Sequence, residues 1–429
     1  MVNNIGASKN LPEKWKIKKL GEVADVIDPQ PDHRAPKEVP NGYPYVGVGD
    51  FNNDGTINFE KTRKVVEEAI IKQESSFKID QNDIAFGKVG TIGNPRYLSY
   101  DKRYALSATL VLIKSKEVFN SYLYYFLQSQ QLMDQIKRLT TGSTRPTIGI
   151  LKLRELDIVI PSEKEQQKIS AILTSVDDTI QKTEKIIEQT EKVKKGLMQQ
   201  LLTKGIGHTK FKKTEIGEIP EEWEVRRLED IISSTKLGTN DTANGNMGLP
   251  LIKMGNLTFG GFNFSKIEYI NAIPQQYESF LLKDGDFLFN TRNTPELVGK
   301  TAIWHNQLEK AIYNNNILRI VFNKEIISSS DYVAYQFNEG LLKGKIRGLV
   351  NGTTSVAAIY WKDLSKVRVP IPNLNEQQKI SEILGSLEEK IQIETNRKEN
   401  LSKIKNGLMQ VLLSGKVRVK VDEEEVTTS

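Results

Sequence analysis

The 429-residue chain has no cysteine and only three histidines. The missing thiols exclude disulfide scaffolds, thiolate zinc sites, iron–sulfur clusters and cysteine nucleophiles together. His33, His208 and His305 lie far apart and show no ligand spacing. Long apolar runs are missing too. Nothing approaches the roughly 18 residues that a membrane helix needs, and the polar residues 1–10 lack the apolar stretch of a secretory signal. These absences lead to the expectation of a cytoplasmic protein of two to three domains, at roughly 150 residues each. A strong excess of one charge is absent as well. The formal net charge is +6, which permits nucleic acid as a partner without demanding it, so any DNA-facing surface must be local.

Catalytic motifs fail one by one. Gly299-Lys300-Thr301 ends like a phosphate-binding loop, but Thr294 stands where the earlier glycine belongs. Gly47 and Gly49 open a dinucleotide fingerprint that Asn52 breaks. No Asn-Pro-Pro-aromatic or Asp-Pro-Pro-aromatic run of an amino-methyltransferase occurs. Pro31-Asp32 is followed by no strand carrying Glu-x-Lys, and Glu388-Glu389-Lys390 lies on a long helix where its carboxylates are expected to be solvated. Recognition fits this chain better than chemistry does. The alternative is a stand-alone DNA-acting enzyme, a nuclease or methyltransferase with degenerate motifs.

What the chain does have is an internal repeat. EQQKIS at 165–170 returns at 376–381, and GLMQ at 196–199 returns at 407–410, both at an offset of 211. Without gaps, residues 161–203 match 372–414 at 21 of 43 positions, which is too long a match for chance. A weaker echo pairs LPEKWKIKKLGEV (11–23) with IPEEWEVRRLEDI (219–231), placing Trp15 opposite Trp223. Between these marks the similarity thins to fragments such as FKIDQNDIAF (77–86) and FLLKDGDFLF (280–289).

The two similar stretches read as helices. Ile169, Ile172, Leu173, Val176 and Ile180 in the first copy, and Ile380, Ile383, Leu384, Leu387 and Ile391 in the second, recur at helical spacing. Pro161 and Pro372 stand before the starts, where proline is tolerated. A helix of about 40 residues with a narrow apolar stripe needs a partner, and the obvious partner is its own copy. Gly196 and Gly407 could permit close helix approach. The intervening segments alternate strand-like runs with helices, among them a helix expected over Tyr122–Leu139, and read as α/β domains.

This arrangement resembles the specificity subunits of type I restriction–modification systems. The resemblance is carried by the EQQKIS-to-GLMQ helices, the strand and proline before each, and the Leu-Pro-x-x-Trp and Ile-Pro-x-x-Trp openings. It implies an α/β fold with two target-recognition domains separated by two long antiparallel coiled-coil helices, as a pseudo-twofold internal repeat. The expected divisions are residues 1–160 and 208–371 for the domains, 161–207 and 372–413 for the helices, and 414–429 for an acidic tail. Implied partners are double-stranded DNA, two methyltransferase subunits and restriction/translocase subunits. Each domain would read one half of an asymmetric bipartite site, and the helices would set the spacer and dock the methyltransferases. The chain itself is expected to be non-catalytic and to bind no cofactor or metal; S-adenosylmethionine, ATP and Mg would sit on the partners.

Base-reading residues cannot be transferred from the resemblance, so candidates are polar loop residues beside expected strand ends. In the first domain they are Lys88, Thr91, Arg96, Arg103, Ser143, Thr144 and Arg145. In the second they are Thr291, Arg292, Asn293, Lys300, Thr353, Thr354 and Ser355. Gln166, Gln167 and Lys168, with Gln377, Gln378 and Lys379, are expected on exposed helix faces that dock the partner, because glutamine and lysine suit a buried seam poorly.

Overall fold

A computed structural model describes residues 11–32, 34–52, 54–140, 146–352 and 355–421. Two helices dominate it, Glu163–Lys204 and Leu374–Leu412. Contacts divide the chain into two compact units, residues 1–185 with 395–429, and residues 186–394. The division cuts both long helices midway, because the two halves of each helix pack on different cores.

In the first unit a four-stranded antiparallel sheet runs in the order Ala24–Ile27, Leu110–Ser115, Ile84–Gly87, Gly93–Tyr97. A smaller sheet orders Arg63–Val65, Glu38–Val46 and Ala105–Leu106, its last pair parallel. Lys16–Lys19 pairs with Asp157–Ile160 just before the long helix begins. The second unit repeats this plan. Its sheet runs Ile232–Leu237, Ile317–Phe322, Asp286–Asn290, Thr301–Trp304, and its smaller sheet runs Glu268–Ile270, Leu249–Ile252, Ile312–Tyr313. Glu224–Arg227 pairs with Arg368–Ile371. The repeat therefore extends through the globular parts, where sequence similarity had nearly vanished. The helix expected over Tyr122–Leu139 is two, Asn120–Phe126 and Gln130–Leu139, because the Ser129 side chain accepts from the Leu132 amide and starts a new helix.

Each unit's core is closed by residues distant in sequence. In the first, Ile169 and Leu173 from the start of one helix meet Met409, Leu412 and Leu413 from the end of the other. In the second, Ile380 and Leu384 meet Met198, Leu201 and Leu202. The helix segments within each unit run antiparallel. In the first, Lys405 pairs with Asp177 at 2.7 Å and Lys398 with Glu184 at 2.9 Å, so rising numbers on one helix meet falling numbers on the other. In the second, Lys194 pairs with Glu388 at 2.6 Å. A tyrosine from each globular part joins the pair: Tyr125 donates to Asp177 at 3.0 Å and Tyr335 to Glu388 at 2.9 Å. Glu388 is thus engaged rather than solvated. Gly196 and Gly407 mediate no close approach, since no atom lies within 4 Å of where a Cβ would stand.

A carboxylate fastens each helix start. Trp15 Nε1 donates to Glu165 at 3.1 Å, and Arg418 Nε donates to the other oxygen at 2.9 Å. The counterpart, Glu376, accepts from Trp223 Nε1 at 3.1 Å and from the Ile206 amide at 2.8 Å, with His208 Nε2 2.9 Å away. Gly205 and Gly415 end the helices with left-handed φ of 65° and 74°. A side chain at either would also collide with the fastening: a Cβ would come within 2.3 Å of Glu376 at Gly205 and 2.7 Å of Pro12 at Gly415.

Candidate nucleic-acid interface

At one end of each four-stranded sheet, three segments of chain converge. In the first domain they are residues 28–30, 88–91 and 107–109; in the second, residues 239–241, 291–293 and 314–316. The same backbone bonds hold both sets. Lys88 N donates to Thr109 O at 2.9 Å and Ser107 N to Val46 O at 2.8 Å. Thr291 N donates to Asn316 O at 2.9 Å and Asn314 N to Ile252 O at 3.0 Å. A fourth strand of chain joins each rim, for Val89 bridges Thr147, and Arg292–Asn293 pairs with Ala357–Ala358.

The rim gathers part of the candidate set. Thr91, Arg292 and Ser355 are exposed and free to reach a ligand. Thr291 and Asn293 are half-buried; they donate to Asn316 O at 3.1 Å and Asn290 Oδ1 at 2.9 Å, which builds the rim itself. Lys300 is 9% exposed, has no ion pair among the described residues, and its ammonium pKa is lowered by burial. Ser143, Thr144, Arg145, Thr353 and Thr354 lie outside the described residues.

Three expectations are corrected. Lys88 is buried against Asp28 at 2.6 Å, so its charge is neutralised inside the domain instead of facing a phosphate. Arg103 forks Glu74 at 2.7–2.8 Å and reaches Glu67 at 2.6 Å, over the Tyr43 ring, which likewise occupies its charge. Arg96 sits away from the rim, in a groove against the long helix that Tyr124, Thr174 and Asp177 also line.

The helix faces divide similarly. Gln167, Lys168, Gln378 and Lys379 are exposed. Gln166 and Gln377 are not, and cannot dock a partner: they are buried because each side chain stitches loops to the helix start. Gln166 accepts from Phe119 N at 2.7 Å and donates to Pro161 O at 3.0 Å; Gln377 accepts from Ser328 N at 3.0 Å and donates to Pro372 O at 2.9 Å. Val193 and Ile404 are apolar yet 52% and 53% exposed, at equivalent places beside Gly196 and Gly407. Sequence reasoning missed Asn240 and the run Asn314-Asn315-Asn316, whose signal was three consecutive amides just before a strand.

The model of the type I restriction modification DNA specificity domain matches residues 12–192 and again 220–403. The chain belongs to this family. Among curated relatives it is 31% identical to the type I restriction enzyme MjaVIII specificity subunit of Methanocaldococcus jannaschii, across 96% of this chain and 94% of that one. It is 22% identical to the EcoKI specificity subunit of Escherichia coli, across 86% and 81%. The fold is also that of a type I restriction–modification S subunit from M. genitalium, with a TM-score of 0.59 at 16% identity, across 95% and 98% of the two chains. The two family matches coincide with the two repeats of the specificity subunit's plan. Among its described residues no helix is long and apolar enough to cross a membrane.

Proposed function

We propose that this specificity subunit supplies sequence recognition to a type I restriction–modification enzyme without catalysing a step itself. Residues 1–160 and 208–371 each bind one half of an asymmetric bipartite site on double-stranded DNA. Two methyltransferase subunits dock on the helices and restriction/translocase subunits join the assembly. S-adenosylmethionine, ATP and Mg belong to those partners. The observation that carries the reading is one scaffold present twice with different side chains on its rims: hydroxyls of Thr91, Ser107 and Thr109 on one, amides with Arg292 on the other. Two equal scaffolds with unequal rims suit two unequal half-sites. The docking surface is the exposed face repeated at each helix start, Gln167 and Lys168 on one and Gln378 and Lys379 on the other.

The assembled methyltransferase complex is therefore expected to bind a bipartite site with a steep salt dependence, its slope set by the phosphates contacted. Binding titrations at several salt concentrations check this, on the cognate site and on DNA with either half scrambled. Equal affinity for all three DNAs would refute it.

A further inference from the structure

The turn at residues 314–316 is held rigid by its backbone. Asn315 N donates to Thr239 O at 2.9 Å, and Asn316 O accepts from Thr291 Oγ1 and Asn290 Nδ2, both at 3.1 Å, besides the bonds already given. Asn316 N also donates to Asn314 Oδ1 at 3.3 Å, and none of these bonds uses the side chain of Asn315. The first domain makes the corresponding turn from Ser107, Ala108 and Thr109, with the counterparts of the Asn314–Ile252, Thr291–Asn316 and Ile317–Asn314 main-chain bonds, and places alanine at its centre. The fold therefore does not require asparagine at 315. That side chain is exposed, and its Nδ2 donates to Asn240 Oδ1 at 2.6 Å. Among the described residues Oδ1 of Asn315 accepts no hydrogen bond, and its second N–H is also uncommitted. Asn315 helps to line a cleft of about 490 Å³, together with Asn240, Asn314, Asn316, Lys253 and Lys266.

We propose that Asn315 reads an adenine in the half-site bound by the second domain, with Asn240 as the brace that fixes its amide plane. The proposal rests on the DNA-recognition reading above. In the major groove adenine presents a donor (N6–H) beside an acceptor (N7), and an amide's paired oxygen and N–H match that edge in a bidentate contact. The brace orients the amide before DNA arrives and so reduces the rotamer freedom lost on binding.

The test uses the complete methyltransferase complex carrying wild-type chain, Asn315→Ala or Asn240→Ala. Affinity is measured for the cognate site and for versions with each base pair changed in turn. Asn315→Ala copies the residue that the first domain already carries on this backbone, so the turn is retained. Wild type is expected to disfavour replacement of one A·T pair by about 5- to 150-fold. Asn315→Ala should abolish discrimination at that pair alone, and Asn240→Ala should weaken it at the same pair. Unchanged preference at every position, uniform weakening on all sequences, relaxation at a G·C pair, or relaxation in the other half-site would each overturn the assignment. A wild-type complex with no sequence preference would overturn both this and the recognition reading.

Discussion

Glu165 has no exposed surface, and a carboxylate so placed survives only through its donors. Burial pushes its pKa up, but the hydrogen bonds from Arg418 and Ser162 outweigh that and hold it below the usual 4.5. A carboxyl depressed by folding stabilises the protein above its unfolded pKa and ceases to do so as pH falls through its folded value. Arg418→Ala is expected to destabilise the protein at neutral pH, because it leaves the buried Glu165 carboxylate one charged donor short. The deficit should shrink as pH falls, because burial raises the pKa of the less well paired acid and it takes up a proton before the native one does. Urea unfolding of both proteins at pH 7 and pH 4 checks this, and an equal deficit at both would refute it. The repeated EQQKIS marked this position but left its direction unread. Glu165 and Gln166 stand one turn before Ile169 on the helix's inward face, so helical phase, rather than polarity, was the signal to follow.

The paired helices were legible as elements because a long 3.6-residue period survives any change of surface residues. Their partnership depends on cross-chain ties that periodicity does not contain. Lys194, Glu388 and Tyr335 form one such tie, and Lys405, Asp177 and Tyr125 its copy. Lys194→Glu is expected to destabilise the second unit, and adding Glu388→Lys should recover part of the loss. A double-mutant cycle on the thermal unfolding of the full chain should give a coupling of about 0.5–1.5 kcal/mol; additive losses would exclude the tie. The globular strands were partly legible, because a run rich in β-branched and aromatic residues such as Ile317–Phe322 carries its own strand signal. Their common order in the two domains was not, because a buried strand such as Asp286–Asn290 asks only for apolar bulk that many residues supply. The rim escaped for a related reason. Lys88 and Arg103 carry the charge that DNA attracts, yet Asp28, Glu67 and Glu74, which occupy it, lie 60, 36 and 29 residues away.

At the scale of the whole molecule, the domain limits set by sequence similarity and the limits of each core differ. A fragment of residues 186–394 contains every buried residue of the second core. A fragment of residues 208–371 lacks Met198, Leu201, Leu202, Ile380 and Leu384, each worth about 1.5–3 kcal/mol of buried surface. The longer fragment is expected to unfold cooperatively and the shorter to melt lower or aggregate, as calorimetry with size-exclusion chromatography would reveal. Exchange of residues 208–371 within the full chain for the matching domain of a relative keeps those helix halves, and should alter one half-site only. Methylation mapping in a host with the partner subunits checks this; loss of both half-sites with the fold intact would count against it.

The divided cores also set an order in time. The first unit contains the earliest residues to leave the ribosome, but Met409, Leu412 and Leu413 must still be made before its core can close. The second unit has all its parts once residue 394 is added. At about 5–20 residues per second, the first globular part waits roughly 12–50 s after its own long helix begins, with an apolar face uncovered. The half made first is finished last, and a chaperone that attends this chain has its longest task at the N-terminal end.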